Sequence, residues 1–140
     1  SAAAGAAADP LETFRGTLDP GRLLEELRAR HPVFLLTKAN CRFCRRAKQL
    51  LEELGASFEE VLLDGLEPGA AAKLQEHVRS ATGAGSVPRV YISGVCIGGF
   101  NETQRKHWSG DLLPLLVHAG AVEEGTSPAG STFDSGNPYL

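Results

Sequence analysis

Apolar positions along this chain fall into two rhythms, and the switches between them outline an α/β domain. Leu23, Leu24 and Leu27 recur at helical spacing as far as Arg30. Asp19-Pro20 supplies a capping carboxylate and a first-turn proline for that helix, and Pro32 stops it. Residues 33–37 are a continuous apolar run, as expected of a central strand covered on both faces. Residues 45–54 return to the helical rhythm and end at Gly55, with Phe43, Ala47, Leu50, Leu51 and Leu54 expected as the core stripe. A second strand is expected over 57–63. A second long helix follows over 68–81, with Leu74 and Val78 inward and Gly83 closing it. Residues 90–97 read as two short strands around Ser93-Gly94, a pair suited to a tight hairpin turn. Gly98-Gly99 ends the second of these, and Asn101 is expected to cap a helix running to about Trp108. Asp111 opens a final helix containing Leu112, Leu113, Leu115, Leu116 and Val117, with Pro114 tolerated in its first turn. Trp108 is expected where these last two helices meet. The order α-β-α-β-α-β-β-α-α implies a central mixed sheet of four strands with helices on both faces.

Composition narrows the class. A chain of 140 residues, 42% hydrophobic and 22% charged, is one globular domain's worth. We expect a flexible leader over 1–18, the folded domain over 19–119, and a disordered tail or linker over 120–140, where Gly, Ser, Thr, Pro and Glu dominate. The net charge of −3 exerts no global pull toward nucleic acid or anionic membranes. No apolar run approaches the ~18 residues of a membrane span. The Ala-rich start lacks the basic front and apolar centre of a signal peptide. Absence of any methionine suggests a processed form or a piece of something longer. Three cysteines, an odd number, fit a reducing compartment better than a disulfide framework. The cytoplasm is the expected location, with mitochondrion or plastid as alternatives.

Cys41-Arg42-Phe43-Cys44 carries the chemistry. A Cys-x-x-Cys at a strand-to-helix turn marks a thioredoxin-like redox site. Helix positions i and i+3 share a face, so the two thiols lie within bridging reach. Cys41 at the helix start meets unpaired N–H groups and the positive end of the dipole. Lys38, Arg42, Arg45, Arg46 and Lys48 surround it, and no acid occurs from 38 to 48, so thiolate is favoured over thiol. Cys44, one turn in, suits the resolving role. A structural zinc half-site would need two more ligands, and Cys96, His31, His77, His107 and His118 offer no second paired spacing, so no metal is expected. Cys96 reads as a buried apolar filler, with regulatory glutathionylation the alternative. His77 and His107 read as solvated.

Two further stretches could meet a ligand. Val87-Pro88 precedes the third strand, and a cis bond there would turn the Val87 backbone toward the thiols. Gly98-Gly99-Phe100-Asn101-Glu102 would let a ligand backbone approach closely. A following helix start there suits a carboxylate, and Asn101 and Glu102 could accept from an ammonium.

Together, Lys38-Ala-Asn-Cys41-Arg-Phe-Cys44, Thr82-Gly83 with Ser86-Val87-Pro88, and Cys96-Ile97-Gly98-Gly99 before Asn101-Glu102 resemble the glutaredoxin family. The resemblance implies a thioredoxin-like fold and a glutathione-dependent thiol-disulfide oxidoreductase acting on glutathione mixed disulfides and protein disulfides. It implies Cys41 as nucleophile and Cys44 as resolving thiol. Lys38 and Gln75 would meet the glycine end of glutathione, Val87 its cysteine, and Gly99, Asn101 and Glu102 its γ-glutamyl end, with Phe43 and Pro88 as walls. Its partners would be glutathione and glutathionylated or disulfide-containing proteins, met as a monomer with no nucleic acid and no membrane. The family's usual Cys-Pro-Tyr-Cys here carries Arg42 and Phe43, so a charge is added and a hydroxyl lost. Members with a small residue at the Arg42 position can bind a glutathione-ligated 2Fe-2S cluster through the first cysteine, which keeps a cluster-binding dimer as an alternative. An electron-transfer domain of a larger reductase is another.

Overall fold

In the structure, a computed structural model, residues 19–123 are described. The expected leader over 1–18 and most of the expected tail lie outside them. The elements are α1 (Pro20–Arg30), β1 (Val33–Thr37), α2 (Arg42–Glu53), β2 (Glu59–Leu62), a 3-10 turn (Leu63–Gly65), α3 (Pro68–Thr82), β3 (Arg89–Ile92), β4 (Val95–Gly98), α4 (Phe100–Trp108) and α5 (Leu112–His118). The strand order is β2-β1-β3-β4. β1 runs parallel to β2 and antiparallel to β3, and β3 runs antiparallel to β4.

The period of two in β1 explains why both faces are covered. Val33 and Leu35 point to a core with Ala47 and Leu51 of α2, Phe100 of α4, and Leu112 and Leu116 of α5. Phe34 and Leu36 point to the opposite core, with Leu23, Leu24 and Leu27 of α1 and Leu74 and Val78 of α3. Phe34 and Tyr91, register partners on β1 and β3, stack with ring centroids 4.6 Å apart. The hairpin turn has positive φ at both Ser93 (52°) and Gly94 (82°), the primed geometry that matches strand twist. Asp19 caps α1 by accepting from the Gly21 and Arg22 backbone N–H groups. Gly83, at φ 93°, ends α3 in the left-handed conformation.

Three expectations need correction. The buried stripe of α2 is Cys44, Ala47, Leu51 and Leu54, whereas Phe43 is 46% exposed. Spacing of 3, 4 and 3 puts Cys44 inward, and Phe43, about 100° around the helix, must then face out. Gly99 rather than Asn101 caps α4, because the Glu102 carboxylate reaches back to accept from Gly99 N–H at 2.8 Å. Cys96 is only partly buried. Trp108, at the junction of α4 and α5, is 48% exposed and so only half covered there.

Candidate active site

A four-residue loop, 38–41, joins the end of the central strand β1 to α2, so the Cys-x-x-Cys sits at that end of the sheet with one thiol on each side of the helix boundary. Cys41 is the N-cap of α2 and partly exposed, while Cys44 is 2% exposed. The Cys44 backbone N–H donates to Cys41 Sγ at 3.2 Å. A sulfur that accepts a helix N–H is better able to carry negative charge. Burial pushes the Cys44 thiol up from 9.0 to about 12, and the neighbouring Cys41 pushes the same way by hydrogen bond and charge. One thiol therefore holds its proton while the other lies open.

The basic surround is smaller than the sequence suggests. Lys48 Nζ lies 2.9 Å from Glu60 Oε2 on β2, and Thr37 Oγ1 donates to the same oxygen at 2.6 Å. Burial raises the Glu60 carboxyl, but these two donors outweigh it and hold the group below its ordinary value. Lys48 thus neutralises a strand carboxylate. Arg42, Arg45 and Arg46 stay on the exposed side of α2.

A groove of about 330 Å³ runs beside the thiols, lined by Phe43, Ala84, Ser86, Val87, Pro88, Arg89, Gly99, Phe100, Asn101 and Glu102. The Val87-Pro88 bond is cis, and the Val87 carbonyl oxygen stands 4.0 Å from Cys41 Sγ. Phe43 stacks on Phe100 at 5.8 Å between centroids, forming one wall. Glu102 forms the far end. The Gly99 N–H first, with its own backbone N–H, holds its carboxyl below the ordinary range against a small opposing effect of burial. At Gly98, φ is 118°, and a Cβ would stand 2.7 Å from Glu102 Cβ and Cγ. Only glycine leaves room for the reach-back that shapes this end.

Six of the candidate residues therefore share one groove: Phe43, Val87, Pro88, Gly99, Asn101 and Glu102. Lys38 and Gln75 are not among its lining residues. Gln75 Nε2 instead donates to the Gly85 carbonyl at 3.0 Å, holding the loop that brings Ala84 and Ser86 to the groove. Sequence reasoning missed Arg89. It is 8% exposed, its Nε donates to the Pro88 carbonyl at 3.2 Å, and its Nη2 stands 2.9 Å from where a Gly99 Cβ would be. It thereby lies between the cis-proline and the Gly-Gly turn, where a side chain at position 99 would collide with it. An arginine after Val-Pro reads as surface, and only the crossing of two loops buries it. No group of three or more His, Cys, Asp or Glu side chains comes together as a metal site among the described residues.

A Cys-x-x-Cys at a helix start, beside a cis-proline at one end of a mixed four-stranded sheet, defines a thiol-disulfide oxidoreductase of thioredoxin-like fold. The family model for glutaredoxin matches residues 33–97. The chloroplastic glutaredoxin-C4 of rice, Oryza sativa subsp. japonica, is 43% identical over 98 residues, covering 70% of this chain and 72% of its own length. The crystal structure of the holo form of glutaredoxin C1 from Populus tremula x tremuloides superposes with a TM-score of 0.67 at 40% identity, covering 71% of this chain and 97% of that one. A crystal structure of a buckwheat glutaredoxin-glutathione complex gives 0.66 at 31% identity, covering 74% of this chain and 94% of that one. The chain belongs to the glutaredoxin family, and it is an oxidoreductase enzyme. The family-model match ends at Ile97, one residue before the Gly98-Gly99 turn.

Proposed function

We propose that the chain reduces glutathione mixed disulfides with glutathione as reductant, through Cys41. The observation that carries this is the groove: it runs beside the partly exposed Cys41 thiol and ends at a helix start, a span suited to a tripeptide whose central residue is a cysteine. The Cys41 thiolate attacks the glutathionyl sulfur, the substrate sulfur leaves as thiolate and takes a proton, and Cys41 keeps the glutathionyl group. A second glutathione thiolate attacks that disulfide, releasing oxidised glutathione and restoring the Cys41 thiolate. With a protein disulfide, Cys44 attacks the Cys41-substrate bond instead, and two glutathiones then reduce the Cys41-Cys44 disulfide. Cys44 is suited to waiting, because two of the causes that raise it come from Cys41 and weaken once that sulfur is in a disulfide.

In this reading the Val87 backbone holds the cysteine of glutathione, and Phe43 and Pro88 form the walls. The Asn101 backbone N–H at the start of α4 receives the γ-glutamyl carboxylate, Gly99 leaves room for its approach, and the second Glu102 oxygen receives its ammonium. Lys38 meets the glycine carboxylate, while Gln75 acts by fixing the loop rather than by contact. The buckwheat relative's complex with glutathione supports the choice of ligand. A 2Fe-2S cluster shared between two copies fits poorly, since Arg42 is not the small residue that goes with cluster binding in the family. No step is routed through one, and we assign a monomer. Three cysteines, an odd number, fit a reducing compartment, and we assign the cytoplasm. No helix among the described residues is long and apolar enough to cross a membrane.

The test is steady-state turnover of a glutathionylated peptide by the wild type, Cys41→Ser and Cys44→Ser. The expected result is turnover by the wild type and Cys44→Ser and none by Cys41→Ser. An inactive wild type, or an active Cys41→Ser, would overturn the assignment.

A further inference from the structure

The helix that carries the thiols has a second face which the groove does not use. Arg42, Arg45 and Arg46 recur at spacings of three and four, so they project together from one side of α2. All three are exposed, and none lines the groove. Lys48, the other cation of this helix, is paired with Glu60 and faces the sheet. Acids of α2 appear only at its far end, at Glu52 and Glu53. The surface next to Cys41 is therefore locally cationic on a chain whose formal net charge is −3. Part of it is already ordered: the Arg46 guanidinium sits 5.4 Å from the centroid of Phe100, which stacks on the half-exposed Phe43. An arginine held on an aromatic face loses less freedom when it meets a carboxylate.

Resting on the glutathione reading of the groove, we propose that Arg42, Arg45 and Arg46 dock the protein half of the substrate and select cysteines flanked by acidic residues. With glutathione in the groove, the substrate sulfur bonded to it lies at Cys41, and the chain leaving that sulfur must cross the adjoining exposed face. That face is the arginine side of α2. Aspartate or glutamate within a few residues of the substrate cysteine meets guanidinium groups there, and lysine meets like charge. Each exposed pair is weak, but two or three acting together give about tenfold discrimination.

The test is glutathione-free, so that it stands apart from the groove's ligand. Two peptides, identical except for two Glu or two Lys beside their single cysteine, are activated as mixed disulfides with neutral 2-thiopyridine. The Cys41 thiolate attacks the peptide sulfur, the bond to the pyridyl sulfur breaks, and pyridine-2-thione leaves with the electron pair and is read by its absorbance. With the Cys41→Ser rate subtracted, the acidic peptide is expected to react about tenfold faster at low salt. The ratio should fall toward one near 1 M salt, where the screening length is about 3 Å. Arg45→Glu is expected to cut the ratio at least threefold; any change in the reactivity of Cys41 itself cancels from that ratio and is read separately with an uncharged mercaptoethanol-pyridyl disulfide. Equal rates for the two peptides with wild type at low salt, or a ratio that survives Arg45→Glu, would overturn the proposal. Failure of glutathione turnover alongside a preserved ratio would remove the glutathione reading and leave the docking surface standing.

Discussion

The asymmetry between the two active-site thiols can be worked into a number. Burial first, and then Cys41 by hydrogen bond and charge, raise Cys44 from 9.0 to about 12. At pH 7 a thiol of pKa 9 is ionised to about one part in a hundred, and one of pKa 12 to about one part in 100,000. Because a more basic thiolate is also a better nucleophile, roughly twentyfold of that thousandfold deficit returns, leaving a net slowing of about fiftyfold. Lost access adds to it, since Cys44 is 2% exposed. The assay is alkylation with a neutral haloacetamide at pH 7, mapped by mass spectrometry, using the urea-unfolded chain as reference. Cys44 in the folded protein should react at least about fiftyfold more slowly than in the unfolded one. Cys41→Ser should recover part of the loss but not all, because burial is the largest cause and survives the substitution. Folded Cys44 reacting within about fivefold of the unfolded reference would refute the reasoning.

The remaining expectations concern the groove and its supports. Gly98→Ala places a Cβ against the base of the Glu102 side chain at a φ of 118°, and should cost about 3 kcal/mol of stability in denaturant unfolding. A loss below 1 kcal/mol, on the same scale, would show that α4 starts in some other way. Glu102→Gln keeps the bond from Gly99 N–H but removes the charge, so KM for a glutathionylated peptide should rise about fivefold with kcat held. An unchanged KM would remove Glu102 from the ammonium end. Cys44, and Tyr91 raised by burial first and then by Cys96 to about 12, both favour the protonated form in the folded state. Their contribution is complete below their unfolded values, near 9 and 10, and is lost as pH rises toward 12. Urea midpoints should therefore fall between pH 9 and 12, and Cys44→Ala should flatten part of that slope.

Elements set by local pattern were legible in the sequence. β1 was read over its observed span, because five consecutive apolar or β-branched residues between two breakers admit little else. Gly83 and Ser93-Gly94 were legible because left-handed backbone selects few residues. What failed depended on contacts distant in sequence or on ambiguous period. Phe43 and Cys44 both fit an inward position, and hydrophobicity favoured Phe43. The core instead took the smaller thiol and left the ring to stack on Phe100. Lys48 looked like part of a cationic collar until β2 brought Glu60 to it. Arg89 gave no signal, since its burial arises where the cis-proline loop meets the Gly98-Gly99 turn. The roles of Gln75 and Lys38 came from family likeness rather than from residue pattern, and they stand apart from these failures.

The most direct test of the central claim is to find where glutathione becomes attached. Cys44→Ser protein would be exposed to oxidised glutathione, digested without reduction, and each of the two remaining cysteines examined by mass spectrometry. The account requires a single glutathionyl group, on Cys41, removed again by reduced glutathione. A group on Cys96 with Cys41 left free, or none at all, would contradict it.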